Sequence, residues 1–380
     1  MDNTRIRTIK DEKLPIAIVT GSGGLIGSQA VQFFHKKGYK VIGIDNDMRK
    51  YFFGEDASTK ENNEALLKDY PNYESVNIDI RSLIELRNLF GHYGNDIEII
   101  IHTAAQPSHD WAAKEPITDF SINATGTINL LECTRISCPK ATFIFTSTNK
   151  VYGDRPNYLP LQELDSRYEY MENGIHLGSV DEDMSIDQCK HSVFGASKVA
   201  ADIMCQEYAR YWDMNVGIFR GGCLTGPNHA GAELHGFLSY LIKCIVNEKH
   251  YTIFGYKGKQ VRDNIHSWDL VNMFWHYHQN PRPGEVYNAG GGRNNSTSIL
   301  EAIDTVNEIL TANGHLNYDW KNYTLSDEAR IGDHQWYISD LSKFKKHYPE
   351  WDITISLRET IIQICDAELK KIYGRSHSIL

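Results

Sequence analysis

The seven cysteines, at positions 133, 138, 189, 205, 223, 244 and 365, form no CxxC pair and are odd in number. Such a set excludes a zinc knuckle and does not suit a disulfide framework, so a reducing cytosol is the expected setting. The chain also lacks any apolar run approaching the ~20 residues that a membrane helix needs, and its first fifteen residues are polar with mixed charge, so neither secretion nor a span is expected. There is no run of Lys or Arg, and the net charge is −10. Without a basic stripe to track phosphates, nucleic acid and anionic membrane are excluded as partners, and local basic residues must do any anion binding. His276 and His278 lie two apart on a predicted helix and do not face each other, so no metal site is expected. No internal repeat or low-complexity segment occurs.

The chain does have enough material for a large core. Its 380 residues are 41% hydrophobic, which predicts one large domain or two intimately joined ones. Residues 15–45 organise it. The apolar run Ile16-Ala17-Ile18-Val19 enters Thr20-Gly21-Ser22-Gly23-Gly24-Leu25-Ile26-Gly27, continues as a helical stretch to Lys37-Gly38 and re-emerges as Val41-Ile42-Gly43-Ile44. This reads as strand, glycine turn, helix and strand. Backbone amides and the positive end of a helix can approach a diphosphate only where residues lack a Cβ, and Gly21, Gly24 and Gly27 stand at those positions. Asp45, at the tip of the second strand, can accept both ribose hydroxyls of an adenosine, and a carboxylate there repels a 2′-phosphate. NAD is therefore expected rather than NADP.

Alternation of strands and helices then continues. Residues 46–73 read as a long polar connection with a helix near 62–70. Residues 75–81 read as a short strand ending in an acid, with Asp79 placed to read an adenine edge. Residues 97–102 form an apolar strand that ends in the small residues Thr103-Ala104-Ala105-Gln106. A helix is predicted over 120–137 and a strand over 141–145, whose carboxyl end carries Thr146-Ser147-Thr148-Asn149-Lys150. In open α/β sheets the chemistry lies at such ends. Residues 153–190 read as a long structureless insertion, rich in acids, Tyr and His, before a helix over 193–211 and a strand over 215–220. Beyond Gly221 a smaller lobe is expected. The predicted fold class is α/β, a Rossmann doubly wound parallel sheet over 1–220, with 259–290 returning to it and 221–380 mainly a substrate-binding lobe.

These residues together resemble the extended short-chain dehydrogenase/reductases, the NAD-dependent nucleotide-sugar epimerases and dehydratases. The resemblance runs through Gly21-xx-Gly24-xx-Gly27, Asp79-Ile80, His102-Thr-Ala-Ala, Asn123, Thr148-xxx-Tyr152-Gly153, the xxx-Lys198 signature, Arg262-Asp263-xx-His266 and Arg330-xx-Asp333. Within that family, residues 147–154, the long insertion and His191-Ser192 most resemble the CDP-paratose 2-epimerases. The resemblance implies a cofactor site of Gly21, Gly23, Gly24, Leu25, Ile26, Gly27, Asp45, Asn46, Asp79, Ile80, Ala104, Ala105, Gln106, Asn123, Thr146 and Lys198. It implies a substrate site of Thr148, Asn149, Ser192, His235, Arg262 and Arg330, with the two arginines gripping a diphosphate. Relatives usually dimerise through helices equivalent to 120–137 and 193–211, so a cytoplasmic homodimer in nucleotide-sugar and polysaccharide biosynthesis is expected.

One position departs from the family. Its signature is Tyr-xxx-Lys, and here the tyrosine position is Phe194, which cannot titrate. Thr148, Lys198 and His191 are the expected catalytic residues. His191 stands three residues before Phe194 and titrates in the right range, with Cys189, Tyr168 and Tyr170 as reserves. The implied activity is 2-epimerisation of a CDP-hexose or CDP-deoxyhexose. The alternatives are a 4-epimerase, a 4,6-dehydratase or a non-catalytic NAD-binding scaffold. Dehydratases of the family carry an Asp-Glu pair after the Thr, where this chain has Asn149-Lys150.

Overall fold

The structure, a computed structural model, describes residues 13–229, 236–314, 319–329 and 332–374. Seven strands form its main sheet: β1 (Ile16–Thr20), β2 (Lys40–Ile44), β3 (Tyr73–Val76), β4 (Ile97–His102), β5 (Thr142–Thr148), β6 (Val216–Gly221) and β7 (Val286–Ala289). All pair in parallel, in the order β7-β6-β5-β4-β1-β2-β3. The chain leaves β1 in one direction and comes back at β4 on its other side. The strand order therefore reverses between β1 and β4, where a crevice opens at the carboxyl ends.

Every residue of β1 is buried, because helices cover both faces of a parallel sheet. Ala17 and Val19 join Phe33, Phe34 and Phe274 on one face, and Ile16 and Ile18 join Leu86, Phe90, Leu130 and Leu131 on the other. A second core lies in the smaller lobe. Helices Phe237–Val246, Ile299–Ala312 and Leu357–Tyr373 enclose Leu241, Ile242, Ile303, Val306, Ile361 and Ile364. Two of these helices begin with capping boxes, Ser298 with Glu301 and Ser356 with Glu359, each satisfying two otherwise orphaned amides.

Two expectations need correction. Val261–His266 does not return to the main sheet but pairs with Cys223–Thr225, Ser296–Ser298 and Trp336–Tyr337; helix Ser267–Gln279 and β7 make the return. The insertion is not structureless. It forms a three-stranded sheet, Leu161–Glu163, Tyr168–Glu172 and Ile175–His176. That sheet is tied to the lobe by Tyr168 N–H to Lys259 O, Trp336 Nε1–H to Glu169 and Arg167 to Glu301. The helix expected over 120–137 is present: Pro116–Phe120, a π-helical turn at Ser121–Thr125 and Gly126–Ser137 run on without a break, and Ile122 in the π-helical turn reaches the wall of the crevice.

Candidate active site

The crevice holds a cavity of about 500 Å³ running from the glycine turn to the smaller lobe. Its first half is built by β1, β2 and the turn between them. Gly21 has φ +68° and donates its amide to Ile44 O at 2.7 Å; a Cβ there would lie 3.0 Å from the Ala104 backbone. Helix Leu25–Lys36 starts at Gly24 with no side chain capping it, so its first amides remain open to an anion. A Cβ on Gly27 would fall 2.0 Å from Gly21 O. Gly27 is absent from the cavity wall, so its contribution is close helix-to-turn approach rather than ligand contact. At the tip of β2, Asp45 accepts from Gly23 N–H at 2.9 Å, Asp47 N–H at 2.9 Å and Thr59 Oγ1–H at 3.0 Å.

Gly21, Gly23, Gly24, Leu25, Ile26, Asp45, Asn46, Asp79, Ile80, Ala104 and Ala105 all line this half. Asp79 is paired with Arg81 at 2.6 Å, which holds its carboxyl below the usual range. A turn with glycine at 21, 23 and 24, uncapped helix amides and a carboxylate at the strand tip fit an adenine dinucleotide with free ribose hydroxyls. Gln106 and Asn123 do not line the cavity. They form a buried network behind it, in which Gln106 N–H donates to Asn123 Oδ1 at 2.9 Å and Asn123 Nδ2–H donates to Ser197 Oγ at 3.1 Å. Ser58, Thr59 and Asn62, which line this half, were missed because the 46–73 connection reads only as polar; its fold back over the turn depends on non-local contacts.

The second half lies at the end of β5. Lys198 Nζ–H donates to Thr146 O at 2.8 Å and sits 4.3 Å above the Phe145 ring, and burial pushes it down to about 8. Thr146, Thr148, Asn149, Lys150 and Phe194 share the wall with it. Thr148 Oγ1 accepts from Lys150 N–H at 3.2 Å and so caps the short turn Asn149–Tyr152. From the smaller lobe, Arg262 donates to Val261 O at 2.8 Å and to Asp333. Lys150 Nζ stands 3.9 Å from the same Asp333 carboxylate. Burial pushes Lys150 down to about 8 against the pull of Asp333. Burial alone would raise Asp333, but Arg262 and Lys150 outweigh it and hold that carboxyl at about 2.

Other predicted members lie elsewhere. His191 is off the cavity wall, its Nε2 within 2.8 Å of Val151 O; the spacing to Phe194 assumed a shared helix, but the helix begins at Val193. Ser192 caps that helix by accepting from Gly195 N–H at 3.1 Å, meets His109 Nδ1 at 2.6 Å and is off the cavity wall. The reserves Cys189, Tyr168 and Tyr170 also miss the wall. His235 and Arg330 lie outside the described residues. Conversely, His109 reaches the wall with its ring centroid 5.1 Å from that of Phe194. Sequence reasoning missed it because a lone His carries no spacing signal. Among the described residues no cluster of side chains could hold a metal ion, and no helix is long and apolar enough to cross a membrane.

The family described as "NAD dependent epimerase/dehydratase family" matches residues 17–290. The CDP-paratose 2-epimerase of Salmonella typhi is 29% identical over 358 residues, covering 92% of this chain and 98% of that protein. The UDP-glucuronate 4-epimerase of Thermodesulfobacterium geofontis is 27% identical, covering 90% and 92%. Among solved structures, the UDP-glucose 4-epimerase of Thermotoga maritima with UDP-glucose superposes with a TM-score of 0.73 at 23% identity, covering 94% of this chain and 99% of that one.

Proposed function

Because the chain belongs to the NAD dependent epimerase/dehydratase family, enzymes of nucleotide sugars with NAD as cofactor, we propose that it is a 2-epimerase of a CDP-linked hexose or deoxyhexose. The observation that carries this reading is the end of β5, where Thr148 lines the cavity with Lys198 and is followed in the chain by Asn149 and Lys150 rather than by two carboxylates. Eliminating water from a sugar needs a paired acid and base, and an amide at 149 cannot titrate. Turning over one carbinol centre needs less, namely a hydroxyl held and its proton moved. The 2-position and the cytidine are supported by similarity to the Salmonella typhi protein over nearly its whole length.

Bound in the first half of the cavity, NAD supplies the hydride acceptor and donor. Asp45 would hold the adenosine ribose, the first-turn amides after Gly24 the diphosphate, and Lys198 the nicotinamide ribose. Arg262 presents a guanidinium fork to the substrate diphosphate, a geometry suited to paired phosphate oxygens. Thr148 hydrogen-bonds the reacting hydroxyl.

Since hydride returns to the carbon it left, substrate deuterated at C2 is expected to give product that keeps the label and gains none from heavy water. Exchange of that position with solvent would show deprotonation beside a carbonyl instead. Conversion confined to C4 would place the protein with the 4-epimerases.

A further inference from the structure

We propose that Lys150 is the proton-transfer residue of this reaction, taking the hydroxyl proton that a phenol would take if Phe194 were tyrosine. The inference rests on the epimerase reading above. Four observations lead to it. Phe194 occupies the cavity wall with a ring that has no proton to exchange. Lys150 lines the same cavity and belongs to the same turn as Thr148, whose Oγ1 accepts from the Lys150 amide. Among the described residues its Nζ makes no hydrogen bond: the nearest carboxylate, Asp333, is 3.9 Å away, beyond hydrogen-bond reach, and is already engaged by Arg262. Lys198, the other amine on the wall, donates to Thr146 O and is fixed against the Phe145 ring.

The two histidines nearby are worse placed. His191 turns its Nε2 to a backbone carbonyl off the cavity. His109 shares its Nδ1 with Ser192, and its ring lies edge-on to Phe194. The charged and titratable groups that face Lys150 are Arg262, Asp333, Cys223 and His334. Burial with only a partial counter-charge leaves the amine titrating near 8, close to where a general base operates efficiently at neutral pH.

The substrate O–H bond breaks and its proton goes to neutral Lys150 Nζ, while the C–H hydrogen leaves with its electron pair as the hydride of the proposed reaction and the C=O bond forms. On return, the C–H bond re-forms on the opposite face and the Lys150 ammonium gives its proton back to oxygen. The enzyme ends unchanged.

Two measurements test the assignment. In the first, Lys150→Met and Lys150→Arg are compared with the native enzyme on a CDP-sugar it epimerises. Both are expected to lose on the order of 10²- to 10⁴-fold in kcat, with the calorimetric Kd for the CDP-sugar changed only a few-fold and the ionisation near pH 8 gone from the kcat profile. Full activity of Lys150→Arg, or a raised Kd with kcat unchanged, would make Lys150 a fixed charge and overturn the proposal. In the second, trace acetic anhydride labels the NAD-loaded protein across the alkaline range and mass spectrometry reads each lysine. A Lys150 midpoint near 8 supports the role; a midpoint above 10, or no labelling at any pH, overturns it. If no nucleotide sugar is converted at all, the epimerase reading fails, and the labelling midpoint still decides whether Lys150 is poised as a base.

Discussion

Arg262 must serve two partners at once. Its guanidinium is mostly buried and bonded to Val261 O and Asp333, yet it lines the cavity, and its five donors exceed those two acceptors. Arg262→Ala should therefore raise the KM for the nucleotide sugar by roughly 10- to 100-fold, the equivalent of losing a charge-assisted hydrogen bond of about 1.5–3 kcal/mol, and should lower kcat less. Arg262→Lys should recover only part of this, because an ammonium keeps the charge but not the fork. An unchanged KM in steady-state assays would remove the clamp. At this scale the sequence was most informative where a residue acts through its own backbone or strand end: Gly21, Gly24 and Asp45 could be placed because a turn and a strand tip are local facts. His191, Gln106, Asn123 and Ser192 could not, since spacing gives a face but not a partner. Asp333, which ties Arg262 to Lys150, lies 71 residues from the arginine, and no local pattern announces such a pairing.

Helix Val193–Trp212 positions Phe194 and Lys198, and its start depends on Ser192. The Ser192 hydroxyl accepts from Gly195 N–H, one of the amides a helix leaves orphaned at its first turn. Ser192→Ala is expected to cost about 1 kcal/mol in a urea titration while changing the substrate KM little. If instead KM rises tenfold and stability holds, Ser192 touches substrate and the capping account is wrong. The parallel sheet was legible at this scale because continuous apolar runs bounded by glycine and small residues have few alternatives. The insertion was not. Its short strands Leu161–Glu163 and Tyr168–Glu172 carry charges from Glu163, Glu169 and Glu172 that break the apolar alternation, and they hold together through contacts with Lys259, Trp336 and Glu301 contributed by the distant lobe. Strand Val261–His266 lies in the smaller sheet although 259–290 as a whole was expected to return to the main domain; burial on both faces looks the same in either layer.

The buried titratable groups give the whole molecule a distinct pH dependence. His102 sits between Thr20 Oγ1 and Thr127 Oγ1, and His278 between Thr142 Oγ1 and Tyr39 OH. Burial pushes them down to about 3 and about 4. A histidine depressed in the fold takes its proton first in the unfolded chain, so its contribution is complete above about 6.5 and is lost as pH falls toward the folded value. Lys150 and Lys198, both pushed down to about 8 by burial, follow the same sign in a higher window. Unfolded lysine binds its proton near 10.4, so stability lost on going down from there to about 8 is regained on going up. Tyr152 and Tyr277, raised by burial, act oppositely. They stay protonated in the fold while the unfolded phenols ionise, and stability falls above about pH 10. Urea titrations from pH 4 to 11 should therefore show stability rising to about 6.5 and falling above about 8.5, where the thiols of Cys133, Cys138, Cys205, Cys223 and Cys365, all raised by burial, outnumber the two amines. Each group contributes at most about 1.4 kcal/mol per pH unit within its window. Subtracting the Lys198→Met curve from the native one should leave a rise between about 8 and 10, and subtracting the His278→Asn curve should leave part of the acidic rise. A native-minus-Lys198→Met difference that is level between pH 8 and 10 would mean that this amine keeps its ordinary value, and that solvent reaches the end of β5 more freely than the cavity walls allow.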